Sequence, residues 1–180
     1  LSRRQRQMCI RDRVEEIFTD LASLAEKRSI TLEAEGDAAL TGSDALIYRM
    51  LFNLTENAVK YNRLGGLVRV ELVQGQEKCI IRVSDTGCGI PKEYQRSIFH
   101  PFFRVDKSRS REYGGAGLGL SLVWEIADFH GGSVWVEESS DKGTTIAVEL
   151  PSGAEKTAQA MASRCFCPPD RVDGCASLYS

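Results

Sequence analysis

The sequence contains no apolar run that approaches the roughly 18 residues a membrane-spanning helix requires, and no signal peptide is evident. It also lacks an excess of charge of either sign, because 25 acidic residues are set against 23 basic ones and the net charge is −2. This balance argues against a broad surface for nucleic acid or membrane, so any site for a polyanion must be local. The length of 180 residues suits one domain of ordinary size, which we place in the cytoplasm.

The six cysteines do not form a recognisable disulfide framework. Cys79 lies in a predicted strand and Cys88 in a glycine-rich loop, which favours a reducing cytoplasm. Cys165, Cys167 and Cys175 lack a fourth ligand for zinc. We therefore interpret their segment as a disordered tail.

The two ends of the chain differ from its middle. Residues 1–13 carry five arginines without periodicity, and their stretch MCIRDR resembles a translated sequencing-library adaptor, a solvated basic tail being the alternative. We therefore leave residues 1–13 out of the fold and predict one domain over residues 14–151. Residues 152–180 contain Pro-Pro and no sustained apolar periodicity, and are predicted to be disordered. On this interpretation the chain is a fragment of a protein that extends upstream.

Helical spacing of apolar residues marks several stretches of the middle. The predicted helices cover residues 14–24, 45–62, 92–99 and 117–132. Ser43 and Asp44 are N-cap candidates for the second helix. Gly131 and Gly132 end the last one.

Alternating apolar and polar residues predict strands between these helices. The strand candidates are residues 29–35, then a hairpin of residues 66–74 and 78–85, then a second hairpin of residues 133–139 and 143–151. Helices on one face of a mixed, mostly antiparallel sheet make an α/β (α+β) sandwich. A doubly wound parallel fold fits less well, because the predicted strands follow one another directly instead of alternating with helices.

Asn53 and Asn57 form the first candidate site. Their i, i+4 spacing places both side chains on one face of the second helix, and Lys60 follows about one turn later. An amide oxygen is a hard neutral ligand for Mg²⁺, and nucleotide phosphates complete the coordination shell of this ion. A lysine supplies a positive point charge that those phosphates can bind. A polar stripe on the helix surface is the alternative, and the pair alone does not decide between the two.

The second candidate is the stretch GGAGLGL, residues 114–120, where a loop becomes a helix. Successive small residues let backbone N–H groups crowd an anion, and the helix N-terminus adds a positive end. Basic residues precede it, namely Arg104, Lys107, Arg109 and Arg111, and they predict a mobile basic lid over a phosphate site. A simple flexible hinge is the alternative. The stretch is neither a Walker loop nor a dinucleotide-binding fingerprint.

Five motifs, taken in order, carry a family resemblance. NLTENAVKYN, DTGCGIP, FHPFFR, GGAGLGLSLV and GTTIAVELP resemble the N, G1, F, G2 and G3 boxes of the ATP-binding catalytic domain of bacterial sensor histidine kinases. That domain belongs to the superfamily shared with DNA gyrase, the mismatch-repair protein MutL and the large heat-shock chaperone. The resemblance covers residues 14–151 and implies that ATP and Mg²⁺ are bound, with the basic lid between the F and G2 boxes.

On the phosphate side, the resemblance implies that Asn57 coordinates Mg²⁺, that Asn53 assists at the phosphates and that Lys60 contacts them. The implied catalytic group is Asn57, Lys60, Arg104 and Arg109, and the amides offered to the phosphates belong to Gly115, Gly117, Leu118 and Gly119.

On the adenine side, the resemblance implies that Asp85 accepts a hydrogen bond from the adenine amino group. A carboxylate suits this role because it is an acceptor without a proton to offer. Tyr61 would lie against the base. The remaining implied contacts are Gly87 and Gly89, which let the backbone approach the base, Ile90, which lines the pocket, and Thr144, which shares a water network with Asp85.

The resemblance also bears on the reaction. Members of the superfamily that hydrolyse ATP carry a water-orienting glutamate four residues before the Mg²⁺-binding asparagine, and here that position is Asn53. Glu56 points about 100° away from Asn57 around the helix, so it does not replace that base directly. This pattern favours phosphoryl transfer over hydrolysis.

The phosphoacceptor is expected outside this chain. In the family it is a histidine on a dimerising helix, whereas we interpret His100 and His130 as structural. The resemblance therefore implies an upstream dimerisation domain, a homodimeric full-length protein, a response-regulator partner and room for an inner-membrane anchor. A serine kinase of the anti-sigma-factor type and a non-catalytic nucleotide-binding module remain the alternatives.

Overall fold

The computed structural model of the protein describes residues 6–103 and 117–153. Its elements follow in the order β1 (Arg6–Cys9), α1 (Ile10–Lys27), β2 (Thr31–Asp37), β3 (Ala39–Gly42), α2 (Asp44–Lys60), β4 (Leu67–Gln74), β5 (Lys78–Asp85), α3 (Gly119–Phe129), β6 (Ser133–Ser140) and β7 (Gly143–Pro151). Two short 3₁₀ turns, Lys92–Tyr94 and Ser97–Phe99, lie between β5 and α3. None of the helices within these two ranges is long and apolar enough to cross a membrane.

α1 and α2 each bury one apolar stripe in the core beneath the sheet. The stripes recur at three- and four-residue steps and comprise Ile10, Val14, Ile17, Leu21 and Ala25 in α1, and Ile47, Met50, Leu51, Leu54, Ala58 and Val59 in α2. Each fully buried Ile or Leu stabilises the fold by about 1.5–3 kcal/mol relative to an exposed one. α2 packs on the helices α1 and α3, and on the central strands β4 and β5.

A five-stranded sheet forms the second layer, with the strand order β2-β4-β5-β7-β6. β2 pairs with β4 in parallel, and the other three pairings are antiparallel. Both predicted hairpins, β4–β5 and β6–β7, are confirmed, as is the mixed α/β sandwich. β2 and β6 form the two edges of the sheet.

The domain begins earlier than the predicted boundary at residue 14. β1 pairs antiparallel with β3, with Arg6 opposite Gly42 and Cys9 opposite Ala39, and α1 already starts at Ile10. Met8 and Ile10 are buried, so residues 6–13, which the sequence analysis left out of the fold, contribute to the core. Their pairing joins segments about 30 residues apart, which leaves no local periodicity to detect. Residues 1–5 and 154–180, including the three C-terminal cysteines, lie outside the described residues.

The helix predicted over residues 92–99 is wrong, because this segment forms the two 3₁₀ turns instead. The backbone N–H of Tyr94 donates to Pro91 O, and the N–H of His100 donates to Ser97 O, both three residues back. Ile98 is the buried apolar residue of the two turns. A single anchored side chain does not give an eight-residue segment the continuous apolar stripe that stabilises an α-helix.

His130 joins the end of α3 to the start of α2. Its side chain is 1% exposed, and Nε2 accepts the backbone N–H of Ser43 at 3.2 Å. The proton is therefore on Nδ1, which donates to Ile126 O at 2.8 Å. Burial lowers the pKa of His130 and keeps the ring neutral. These contacts support the structural role expected for this histidine.

We expect the free energy of unfolding to fall as the pH drops through about 6.5, the ordinary histidine pKa. The pKa of His130 is lower in the folded chain than in the unfolded one, so below this pH the unfolded chain binds more protons and is favoured. Urea unfolding of the wild type and His130→Gln between pH 7.5 and 5 measures this dependence. The pH slope should shrink in His130→Gln. An unchanged slope in His130→Gln would contradict the assignment.

Candidate functional site

The last turns of α2 carry the two predicted asparagines. The Nδ2 of Asn53 donates to Arg49 O at 2.7 Å, which turns its Oδ1 away from its own helix backbone. A Cβ placed on Gly119 would lie 3.0 Å from Asn53 Oδ1 and 3.6 Å from Asn57 Nδ2. The two amide side chains therefore lie directly against the first residue of α3, more than 60 residues away in sequence.

The start of α3 suits an anion. The first backbone N–H groups of a helix have no partner within it, and the helix dipole places a partial positive charge there. Leu118 at the N-cap is 43% exposed, so this end is open rather than buried. The chain enters through Gly117, which has a φ of 73° and whose carbonyl accepts the N–H of Phe102 at 3.0 Å. The side-chain amides of Asn53 and Asn57 and the first N–H groups of α3 thus lie close together.

Lys60 lies in the last turn of α2 and pairs with Glu56. Its Nζ is 2.8 Å from Glu56 Oε1, and the two side chains are 23% and 27% exposed. The pair partly offsets the charge of the ammonium group and occupies the Glu56 carboxylate.

Asp85 ends β5, opposite Val68 on β4 and Thr144 on β7. Its Oδ1 accepts the backbone N–H groups of Gly87 at 2.7 Å and Thr144 at 3.3 Å. Burial raises the pKa of the Asp85 carboxyl, and these two N–H groups partly counter the rise. No donor among the described residues bonds to Oδ2. One oxygen is thus fixed by the protein, and the other is available to a ligand.

The glycines after Asp85 allow their loop to pack closely against the end of α2 on one side and the end of β6 on the other. A Cβ on Gly87 would lie 2.5 Å from Tyr61 O, at the C-cap of α2. Gly89 has a φ of 75°, and a Cβ there would lie 1.9 Å from Ser140 O at the end of β6. Tyr61 itself is 47% exposed beside this loop. The glycines therefore give Asp85, Tyr61 and the β6–β7 turn the close approach that the adenine-side prediction needs.

Thr144 and Ile90 are both held next to this loop by Ser139. Thr144 is 6% exposed, and its Oγ1 lies 2.9 Å from Ser139 Oγ. The N–H of Ile90 donates to Ser139 Oγ at 2.7 Å. The sequence reasoning missed Ser139, because nothing in the spacing of β6 places it next to a loop 49 residues earlier.

Asn62 and Thr86 are two further residues that the sequence reasoning missed. Asn62 is 5% exposed; its Oδ1 accepts the hydroxyl of Thr86 at 3.0 Å and its Nδ2 donates to Leu67 O at 2.9 Å. The Oγ1 of Thr86 in turn accepts the N–H of Leu67 at 2.9 Å. Both residues stand inside the quoted motifs, and their contact ties the residue after Tyr61 to the residue after Asp85.

Three predicted site residues, Arg104, Arg109 and Gly115, lie outside the described residues, as does the basic lid. Within residues 6–103 and 117–153, no three His, Cys, Asp or Glu side chains form a group that could hold a metal. The Asn53 and Asn57 amides are ligands of a different kind and remain candidates for Mg²⁺.

Comparison with known proteins gives consistent matches. The family described as "Histidine kinase-, DNA gyrase B-, and HSP90-like ATPase" matches residues 42–154. Sensor histidine kinase RppB of Synechocystis sp. is 36% identical over 146 residues, which are 79% of this chain and 32% of RppB. Sensor histidine kinase WalK of Bacillus subtilis is 41% identical over 112 residues, which are 61% of this chain and 18% of WalK. The chain thus spans about a third or less of these relatives.

Solved structures match over the whole described fold. The catalytic domain of histidine kinase ThkA superposes with a TM-score of 0.72 and 25% identity, covering 84% of this chain and 99% of that domain. ThkA in complex with the response regulator TrrA superposes with a TM-score of 0.70 and 24% identity, covering 84% of this chain and 43% of ThkA.

Proposed function

Because the chain belongs to the histidine kinase-, DNA gyrase B- and HSP90-like ATPase family, we propose that it is the ATP-binding catalytic domain of a sensor histidine kinase. It passes the γ-phosphoryl group of ATP to a histidine on a dimerisation domain that lies upstream in the full-length protein. The observation that carries this proposal is the meeting of Asn53 and Asn57 with the α3 N-terminus, on a frame whose other end presents Asp85.

The phosphates bind at the α3 end of the site. The N–H groups at the start of α3 and the Lys60 ammonium group supply positive charge. Asn57 would hold Mg²⁺ through its amide oxygen with Asn53 assisting, since both side chains contact the phosphate end and carry the hard neutral oxygen that this ion takes. When bound, Mg²⁺ supplies neutralisation of the charge that develops on the phosphates. Arg104 and Arg109 would add charge from the lid.

Adenine binds at the other end. The free Oδ2 of Asp85 accepts the amino group of the base, and Tyr61 packs against its face. Gly87 and Gly89 let the loop pass close to the base, Ile90 lines the pocket, and Thr144 shares a water network with Asp85. The two ends of the site thus differ in chemistry. The adenine end offers a hydrogen-bond acceptor, Asp85 Oδ2, whereas the phosphate end offers backbone N–H groups and the Lys60 ammonium group.

Transfer is favoured over hydrolysis because no carboxylate is placed to activate water beside Asn57 in the described part of the site. Asn53 occupies the position of the water-orienting glutamate, and the Glu56 carboxylate is held by Lys60 at 2.8 Å. Catalysis then depends on positioning of the two substrates and on charge neutralisation.

The partners follow from the same assignment. A response regulator is the expected recipient of the phosphoryl group, a proposal that the ThkA–TrrA complex supports. The full-length protein would be a homodimer through its upstream domain, cytoplasmic in this part and anchored in the inner membrane if a spanning segment precedes it. No role for nucleic acid is proposed.

The test supplies the missing acceptor. The full chain is incubated with γ-labelled ATP, Mg²⁺ and a separately purified dimerisation domain from RppB. We expect acid-labile label on the added domain and none on the chain alone. Label on His100 or His130 would contradict the proposal, acid-stable label on a serine would favour the serine-kinase alternative, and binding without transfer would favour the non-catalytic module.

A further inference from the structure

A β-bulge in β6 changes the face to which its last residues point. Val136 pairs with Ile146 on β7, and Ser139 pairs with Thr144, so three steps along β6 match two steps along β7. Side chains alternate between faces along a regular strand, so three steps without a bulge would point Val136 and Ser139 to opposite sides. The bulge instead places Ser139 on the same face as Thr144, the face that carries the loop after Asp85.

The hydroxyl of Ser139 is used twice in this position. Its Oγ accepts the N–H of Ile90 at 2.7 Å and shares a hydrogen bond of 2.9 Å with Thr144 Oγ1. The N–H of Thr144 in turn donates to Asp85 Oδ1 at 3.3 Å. A continuous chain of contacts therefore runs from Ile90, at the end of the loop, back to Asp85, at its start.

We infer that Ser139 is a positioning residue for the adenine pocket: it fixes Ile90 and Thr144 relative to Asp85 and so sets the shape of the loop that receives the base. The inference rests on the proposed ATP-binding function of this site. Ser139 acts through the loop and contacts no reacting atom, so it contributes to nucleotide affinity and leaves the phosphoryl-transfer step unchanged.

The chain offers a matched control on the opposite face of the sheet. Ser84 Oγ and Thr145 Oγ1 also lie 2.9 Å apart, between β5 and β7, one residue from Asp85 and Thr144. This pair has the same chemistry and a similar place in the sheet, but it does not contact the loop. Removal of either serine hydroxyl should change the stability of the sheet to a similar extent. Only removal of the Ser139 hydroxyl should change the position of the loop after Asp85.

The experiment measures the dissociation constant of a non-hydrolysable ATP analogue with Mg²⁺ by calorimetry for the full-length wild type, Ser139→Ala, Ser139→Thr and Ser84→Ala. We expect Ser139→Ala to weaken binding about tenfold, because Ile90 N–H loses its acceptor, and Ser139→Thr, which keeps the hydroxyl, to restore most of the affinity. Ser84→Ala should bind within about twofold of the wild type. Melting temperatures without nucleotide should be similar for the two alanine variants, and the transfer rate at saturating ATP should stay at the wild-type value.

The outcomes separate the two levels of inference. If the wild type binds the analogue and Ser139→Ala binds it equally well, the positioning role is overturned and the proposed function stands. If Ser139→Ala and Ser84→Ala weaken binding to the same extent, Ser139 acts only through the stability of the sheet, and the positioning role is again overturned. If the wild type does not bind the analogue, the proposed function is overturned and the positioning role with it.

Discussion

Asp85→Asn is expected to weaken ATP binding at least about a hundredfold. Oδ1 is committed as an acceptor by the N–H groups of Gly87 and Thr144, so the amide nitrogen of an asparagine would have to take the place of Oδ2. That nitrogen is a donor, and it would face the donor amino group of adenine. The variant therefore loses a charge-assisted hydrogen bond and leaves two donors opposed in a partly buried site.

The fold should survive this change, because the asparagine oxygen still accepts both backbone N–H groups. Asp141→Asn is the matched control, since Asp141 is exposed in the turn between β6 and β7. Calorimetric titration with ATP and Mg²⁺ should show wild-type affinity for Asp141→Asn and no measurable binding for Asp85→Asn, with melting temperatures close to that of the wild type. Equal affinities in all three proteins would refute the assignment of Asp85 to the base.

Asn57→Ala is expected to lower the rate of phosphoryl transfer by about a hundredfold or more, the usual scale for removal of one group that stabilises charge in a transition state. The side-chain amide lies at the start of α3, and its oxygen is the ligand proposed to hold Mg²⁺. The measurement is the transfer of label from ATP to the supplied dimerisation domain at saturating ATP.

The same variant separates the two ends of the site. Adenosine, which lacks phosphates, should bind Asn57→Ala as well as it binds the wild type, because Asp85 and its loop are unchanged. Arg49→Ala serves as the control on the same helix, since Arg49 is exposed about two turns earlier and its hydrogen bond to Asn53 is made by the backbone carbonyl, which alanine keeps. A loss of adenosine binding in Asn57→Ala, or a full transfer rate, would count against the phosphate-side assignment.

Local patterns predicted those elements whose signals are local. α2 and the β4–β5 hairpin bury apolar residues at the periods of 3.6 and 2 that the sequence displays, so both were predicted. The β1–β3 pair and the parallel β2–β4 pair depend on contacts between distant segments. Such pairing produces no periodic pattern in the local sequence. The segment at residues 92–99 has one buried apolar side chain, and one such residue is compatible with either an α-helix or two 3₁₀ turns.

The site divides in the same way. Asn53, Asn57 and Asp85 stand in motifs whose residue types indicate their chemistry, and their roles at the site stay predictions. Ser139 was out of reach, because its orientation depends on a bulge that shifts the register between β6 and β7. Asn62 and Thr86 were likewise missed, since a hydrogen bond between residues 24 positions apart is set by the packed structure.

The two edge strands of the sheet also limit how copies of this domain can associate. Glu35 and Asp37 are exposed on β2, and Glu138 is exposed on β6, so both edges present carboxylates. Strands that join a sheet approach to about 4.8 Å, well inside the screening length of about 8 Å at physiological salt, so the repulsion between like edges is not removed by ions. Charge of one sign on an edge is a common protection against edge-to-edge aggregation. Pairing between two copies through the same edge strand is therefore disfavoured by charge.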